Sequence, residues 1–209
     1  GEIYDQAWLL NDEAEKRYGH SLSNIVMMGM GEPLLNYEAV KHSVDMIISE
    51  EGMAMSPRRI TISTVGIPDG IIRLAEDLPA VHLAVSLHTV NNHLRSNLIP
   101  VNRKHSLDDI KSALIDYHKT TGNRFSIEYL LLEGVNDRRR AALELAGWCR
   151  SFPVKINLIP YNRTDQHYKT SRSTEMFRDT LEEKNMVVNI RRSRGSDIDA
   201  ACGQLVNRK

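Results

Sequence analysis

The chain has 209 residues, of which 41% are hydrophobic and 26% charged, so it can bury one substantial core and we expect residues 1–209 to form a single domain. Twenty-seven basic residues balance twenty-seven acidic ones, which excludes a chain-wide positive field for nucleic acid and leaves only local basic patches. Two cysteines exclude a disulfide scaffold, and the lack of a long apolar run excludes a membrane partner, so we expect a cytoplasmic protein.

Apolar runs of strand length alternate along the chain with segments of helical periodicity. The first helix is predicted over residues 2–19, with an apolar face formed by Trp8, Leu9 and Leu10. Six strands are predicted, at residues 25–28, 60–64, 83–87, 125–132, 156–159 and 186–190. Such alternation is typical of a parallel sheet built from strand–helix units, which predicts an α/β fold of the (β/α) barrel type.

Two of the predicted helices carry end signals. Asn36 is expected to cap a helix whose apolar face holds Val40, Val44, Ile47 and Ile48. Ser106 and Asp109 predict a capping box for a helix that ends at Gly122. Further helices are predicted around residues 71–76, 145–149 and 176–181.

Polar or glycine-rich segments follow most of the predicted strands, at residues 29–33, 63–66, 86–88, 160–162 and 191–195. The C-terminal ends of parallel strands converge at one edge of the sheet, where binding sites collect. A carboxylate such as Glu32 can hold an ammonium group, and serine or asparagine can bond a ribose or a purine edge. Each signal has a structural alternative: Glu32 could be a solvated loop carboxylate, and His88 a hydrogen-bonding residue of the scaffold.

Three further residues require a choice between structure and chemistry. Glu128 lies inside a predicted strand, where we expect a structural pairing role and keep a charge facing the barrel interior as the alternative. Cys149 is predicted to be a core residue on a helix face. Cys202 follows two alanines and precedes a glycine in a small polar loop, so its thiol is sterically open and suits a reactive role, although an isolated cysteine can also be inert.

Four segments together resemble the radical S-adenosylmethionine adenine-C-methyltransferases. They are Met-Gly-Met-Gly-Glu-Pro-Leu-Leu-Asn at 28–36, Ser-Leu-His at 86–88, Ile-Asn-Leu-Ile-Pro at 156–160, and Arg-Gly at 194–195 with Asp-Ile-Asp-Ala-Ala-Cys-Gly-Gln-Leu at 197–205. The resemblance covers about residues 2–205 and is strongest to the members that methylate carbon 2 of an adenosine in 23S rRNA and tRNA. It implies a radical-SAM barrel, that activity, and S-adenosylmethionine as cofactor.

The family also implies a role for each matched position. Gly31 and Glu32 would hold the amino group of the cofactor's methionine moiety, and the rest of the cofactor site would be lined by Ser63, Ser86, Leu87, His88 and Asn162. Cys202 would be the catalytic residue: it would take a methyl group from one S-adenosylmethionine and then lose a hydrogen atom to a 5′-deoxyadenosyl radical from a second. The resulting carbon radical would add to the adenine ring.

One family motif is absent from this sequence. The Cys-x3-Cys-x2-Cys segment that binds a [4Fe–4S] cluster has no counterpart, and Cys149 and Cys202 are too few and too far apart to replace it, so we expect no metal ligands in this chain. The family's upstream acidic residue and N-terminal RNA-binding domain are missing as well. We therefore expect a partial barrel that lacks the first, cluster-bearing strand, as the C-terminal catalytic portion of a longer enzyme.

Two other functions stay open at this point. The first is methylation of adenine carbon 8, which confers resistance to ribosome-directed antibiotics, and the second is a non-catalytic module that binds S-adenosylmethionine or RNA. For the favoured function, the partners would be 23S rRNA, tRNA and an electron donor such as flavodoxin or ferredoxin. Two sets of basic residues could contact RNA phosphates: Arg191, Arg192 and Arg194, and, after another strand, Arg103 and Lys104. The alternative is that these side chains form a solvated basic face.

Overall fold

The computed structural model describes residues 1–162 and 168–191, in which six parallel strands form one sheet. Their spatial order is their order along the chain, and each strand pairs in parallel with the next. The strands are β1 (Ile25–Met27), β2 (Ile60–Thr64), β3 (His82–Ser86), β4 (Phe125–Leu131), β5 (Val154–Pro160) and β6 (Val187–Ile190). β1 and β6 are the two edges, so the prediction of a partial (β/α) barrel is confirmed.

One helix precedes β1, and further helices connect successive strands. They are α1 (Glu2–Tyr18), α2 (Tyr37–Ile48), α3 (Pro68–Asp77), α4 (Asn92–Leu98), α5 (Leu107–Thr121), α6 (Arg139–Cys149) and α7 (Thr174–Glu182), with short 3-10 helices at Pro33–Asn36, Pro57–Arg59 and Pro100–Arg103. The sequence predicted six of the seven α-helices and missed α4. No helix in the described ranges is both long enough and apolar enough to cross a bilayer.

The helix ends show which local signals operate. The Ser106–Asp109 capping box is present, and Gly122 ends α5 in the left-handed conformation, as predicted. Asn36 does precede α2, but its side chain makes no capping hydrogen bond. The Pro33–Asn36 3-10 helix leads directly into α2, and its N-terminal end is capped by the Glu32 carboxylate, which accepts from the Leu34 N–H.

The strands alternate between a helix-covered face and an opposite face that carries polar groups. In β2, Ile60 and Ile62 are fully buried in the core, whereas Ser63 is only partly buried. Hydrogen-bonded register aligns one polar residue from each of four neighbouring strands in a row across the sheet: Ser86, Glu128, Asn157 and Asn189. Apolar packing therefore holds one face of the sheet, and polar chemistry is available on the other.

One prediction about α1 is wrong. Trp8, Leu9 and Leu10 are all at least half exposed, and Ala7 is the buried residue of this helix. α1 lies beside the β1 edge of the sheet, where Val26 is also exposed and where the described residues supply β1 with β2 alone as a partner. The helix is present as predicted, but the described residues leave the side chains of Trp8, Leu9 and Leu10 at least half exposed.

Candidate functional site

A cavity of about 220 Å³ lies at the C-terminal ends of the strands of the sheet. Five residues predicted to bind the cofactor share its wall: Gly31, Glu32, Ser63, Ser86 and His88. They come from the segments that follow or end β1, β2 and β3, so residues up to 57 positions apart in the sequence meet because parallel strands end at one edge.

The remaining predicted site residues lie elsewhere. The Leu87 side chain is fully buried in the core, which leaves only its backbone for a ligand. Asn162 follows β5, is half-buried, and is not among the described residues that line this cavity. Cys202 lies outside the described residues, together with Arg192 and Arg194.

Glu32 joins the loop after β1 to the loop after β2. One carboxylate oxygen accepts the Leu34 N–H at 3.0 Å, and the other accepts the Val65 N–H at 2.7 Å. Each oxygen has a second lone pair, so the carboxylate can still accept from a ligand ammonium group. Gly31, with φ +93°, has open space where a side chain would start, which leaves its backbone accessible from the cavity.

His88 forms part of the wall in a conformation that side-chain-bearing residues rarely adopt. Its φ is +61°, and its carbonyl accepts a hydrogen bond from the Asn136 amide at 2.8 Å. Nδ1 of the ring accepts the Leu130 N–H at 3.1 Å, so the ring proton resides on Nε2. Burial, and secondly the positive charge of Arg95, lower the pKa of His88 to about 4, so the imidazole is neutral at physiological pH.

Glu128 stands on another wall of the cavity, inside β4. Its nearly buried carboxylate accepts from the Asn157 amide at 2.6 Å and from the Ser126 hydroxyl at 3.2 Å. It also forms an ion pair with Arg191 at 3.1 Å. The predicted pairing role of Glu128 is confirmed, and the residue also faces the cavity, so the two interpretations made from the sequence both hold.

The basic residues assigned to RNA phosphates have mixed outcomes. Arg191 lines the cavity and pairs with Glu128, with its side chain about half exposed. The sequence predicted that Arg103 and Lys104 follow a strand, but they lie at the end of the Pro100–Arg103 3-10 helix. Sequence reasoning also missed Arg95, a fully buried cation behind the cavity, because a charged residue in a polar segment is expected to be exposed.

The donor set of the cavity fits S-adenosylmethionine. Glu32 offers a carboxylate for an ammonium group, Ser63 and Ser86 offer hydroxyls, and Met27, Val65 and Ile159 supply apolar surface. Within residues 1–162 and 168–191, no group of three histidine, cysteine, aspartate or glutamate side chains is placed to bind a metal ion. Cys149 is a buried core residue, as predicted, and burial raises the pKa of its thiol to about 12.

Comparisons with known proteins agree with this geometry. The sequence profile of the radical SAM superfamily matches residues 9–146. The chain belongs to the radical SAM superfamily. A protein of Christiangramia forsetii named "Probable dual-specificity RNA methyltransferase RlmN" is 45% identical over 99% of this chain. A protein of the same name from Flavobacterium johnsoniae is 44% identical over 100% of the chain. This radical SAM chain spans about 60% of the length of these curated relatives.

Solved structures extend the similarity to the fold. The crystal structure of a radical SAM methyltransferase from Sphaerobacter thermophilus matches 98% of this chain and 60% of its own, with a TM-score of 0.94 and 42% identity. Streptococcus suis SuiB bound to S-adenosylmethionine matches 90% of this chain and 44% of its own, with a TM-score of 0.62 and 16% identity. The second likeness concerns the fold alone.

Proposed function

We propose that this chain is the catalytic-barrel portion of an enzyme that methylates carbon 2 of adenosine in 23S rRNA and tRNA. One observation carries the proposal: the segments that hold Gly31, Glu32, Ser63, Ser86 and His88 meet around a single cavity at the strand ends. The similarity to proteins named as dual-specificity RNA methyltransferases, which extends over nearly the whole chain, supports the same activity.

In this proposal, S-adenosylmethionine and a [4Fe–4S] cluster, when bound, supply the methyl group and the radical chemistry that an electron-poor ring carbon requires. The cluster ligands belong to a part of the protein outside this chain. Within the chain, the Glu32 carboxylate, which lines the cavity with Gly31, would accept hydrogen bonds from the cofactor's ammonium group. Ser63 and Ser86 would add contacts from the cavity wall, and the Leu87 backbone and Asn162, which do not line the cavity, would contact the cofactor from beside it.

His88 and Cys202 have different proposed tasks. His88, which is neutral at physiological pH, would line the cofactor site without adding charge there. Cys202 would be the nucleophile: its thiolate would form a bond to the sulfonium methyl of S-adenosylmethionine as S-adenosylhomocysteine leaves, because carbon 2 of adenine has no lone pair with which to attack that methyl group itself. Its place in a small, glycine-flanked sequence suits an accessible thiol.

The proposed partners follow from this chemistry. The RNA substrates would have to present an extruded adenosine to the strand ends, and the cluster would need a one-electron donor such as flavodoxin or ferredoxin. Arg192 and Arg194 are proposed phosphate contacts near the target base, and such contacts would weaken with salt. With these substrates and this electron donor, the enzyme would act in the cytoplasm.

The test is Cys202→Ala in the full-length, cluster-reconstituted protein, with Cys149→Ala as the matched cysteine control. We expect Cys202→Ala to abolish RNA methylation, measured by mass spectrometry of digested RNA, while cluster absorbance and cofactor cleavage persist. Cys149→Ala should still methylate, since that thiol is buried in the core.

Each possible product of this assay decides between functions. Formation of 2-methyladenosine supports the proposal, and formation of 8-methyladenosine indicates the carbon-8 activity. If the wild-type enzyme methylates neither RNA, the result favours the non-catalytic module that binds S-adenosylmethionine or RNA. Retained methylation by Cys202→Ala would remove the cysteine from its proposed role.

A further inference from the structure

Arg95 is a buried cation for which the described residues offer no carboxylate within 4 Å. It lies on α4, with its side chain 0% exposed. Backbone carbonyls take most of its hydrogen bonds: Nε donates to Leu87 at 3.2 Å, and Nη2 donates to Ser86 at 3.2 Å and to Val65. Nη1 donates to the Asn102 side-chain oxygen at 2.7 Å. One guanidinium group therefore holds three carbonyl groups of two neighbouring strand ends.

Two of those carbonyls belong to residues of the cavity wall. Val65 follows β2, Ser86 ends β3, and both residues line the cavity. The N–H of Val65 donates to Glu32 while its carbonyl accepts from Arg95, so one peptide segment connects the carboxylate to the cation. The loops after β1, β2 and β3 are linked through this chain of contacts.

The arginine is itself held in place. The Asn102 side chain, which accepts from Arg95, donates to the Asn92 carbonyl at 3.1 Å and to the Ser96 hydroxyl at 2.9 Å. Asn91 caps the start of α4 by accepting from the Leu94 N–H at 2.9 Å. Hydrogen bonds between α4 and the following 3-10 helix thus hold the guanidinium group in position.

Stability alone does not account for a charge in this position. Burying a cation without a counter-charge is unfavourable, and apolar packing would usually stabilise such a site as well or better. A guanidinium group has a planar fork of five donors, which can fix several carbonyls in one arrangement, whereas the ammonium group of lysine cannot match that geometry. The feature that requires arginine here is the simultaneous placement of three carbonyls.

We propose that Arg95 is a positioning residue for the cofactor site, which fixes the loops after β2 and β3 so that Ser63, Ser86 and His88 face Glu32. The inference rests on the proposed S-adenosylmethionine site, although its geometric part does not require the cofactor. Arg95 contacts no ligand itself and acts through the carbonyls of Val65, Ser86 and Leu87.

The test compares Arg95→Lys with Tyr117→Phe in the full-length, cluster-reconstituted protein. The Tyr117 hydroxyl donates to the Val81 carbonyl just before β3, so its loss also removes a buried side-chain donor from a carbonyl, at the far end of the same strand. Three quantities are measured: the melting temperature, the Kd for S-adenosylmethionine by calorimetry, and backbone hydrogen exchange of peptides that cover residues 63–66 and 86–88.

We expect both substitutions to lower the melting temperature. Arg95→Lys alone should raise the Kd at least tenfold and speed exchange in the two loop peptides of the ligand-free protein. Asn102→Ala, which removes one support of the guanidinium group, should raise the Kd by a smaller factor and serves as the second variant if Arg95→Lys does not fold.

Two results would overturn the inference. The first is an unchanged Kd together with unchanged loop exchange in Arg95→Lys or, if that variant does not fold, in Asn102→Ala. The second is a rise of the Kd in Tyr117→Phe equal to that in Arg95→Lys. A wild-type protein that binds no S-adenosylmethionine would refute the proposed function instead. Faster loop exchange in Arg95→Lys would in that case still support the positioning role.

Discussion

Two walls of the same cavity are built in different ways. On the first wall, both oxygens of Glu32 accept main-chain N–H groups, from Leu34 and Val65. On the second wall, Glu128 is held by side chains, those of Asn157 and Arg191. The contacts of the first wall depend on backbone conformation, whereas each contact of the second wall can be removed by a single side-chain substitution.

The largest expected effect concerns the backbone of the first wall. Gly66 has φ +100°, and a Cβ there would lie 2.7 Å from Cδ1 of Ile110. Gly66→Ala should therefore combine backbone strain with overpacking and reduce the free energy of unfolding by about 2–4 kcal/mol. Gly122→Ala is the matched control, since it has φ +67° and open space, and it should lose only about 1 kcal/mol in urea unfolding. Equal losses would show that the contact with Ile110 adds nothing.

The carboxylate of the first wall can be tested by ligand binding. Glu32→Ala should weaken S-adenosylmethionine binding by more than tenfold, because a charge-assisted bond to an ammonium group in a partly dry site contributes roughly 1.5–3 kcal/mol. Calorimetry on the full-length protein measures the change, and Glu38→Ala, on the exposed surface of α2, is the control. An unchanged dissociation constant would assign Glu32 to capping and loop support alone.

His88 stands between the walls and predicts a pH effect. Its pKa is about 4, below the ordinary value of about 6.5, so the unfolded chain takes up the proton first as the pH falls. The stability associated with His88 is fully present above pH 6.5 and is lost between pH 6.5 and 4. Urea unfolding gives the decrease in the free energy of unfolding between pH 7 and pH 5. We expect this decrease to be about 1–2 kcal/mol smaller for His88→Asn than for wild type. His82→Asn, at an exposed position of β3, should behave like wild type.

The smallest effect separates the second wall from the protein surface. Glu128→Gln removes the charge opposite Arg191, whose side chain is about half exposed and stays hydrated, so it should lower the free energy of unfolding by only about 1 kcal/mol. Glu183→Gln breaks a pair with Arg139 that has the same 3.1 Å separation but is exposed on both sides, so less than about 0.5 kcal/mol is expected. Thermal melts measure both, and similar losses would mean that burial of Glu128 contributes little.

The sequence predicted the elements whose signals are local. The six strands, the Ser106–Asp109 capping box and the stop at Gly122 follow from alternation, capping and backbone preference, and the structure has them all. α4 was missed because Asn92–Leu98 has little apolar periodicity. Its Arg95 donates to carbonyls of Val65 and Ser86, which are 30 and 9 positions away in the sequence, and no local pattern encodes such contacts.

For the site, motif resemblance and strand-end position brought five residues to one cavity, but neither indicated which were held by main chain and which by side chain. The ion pair of Glu128 with Arg191 joins residues 63 positions apart, so it became visible only in the folded chain. The error at Trp8, Leu9 and Leu10 has the same origin, because helical periodicity reveals an apolar face and not what covers it.

The order of the strands bears on how the molecule assembles. Because they lie side by side in chain order, each strand pairs with the one that the chain has just completed, as Ile25 does with Ile60 and Phe125 with Val154. The segments that connect paired strands are of moderate length, so bringing their ends together costs little conformational entropy. Chains also emerge from the ribosome N-terminus first. The sheet can therefore grow during synthesis by one strand and one helix at a time, without waiting for a distant segment to arrive.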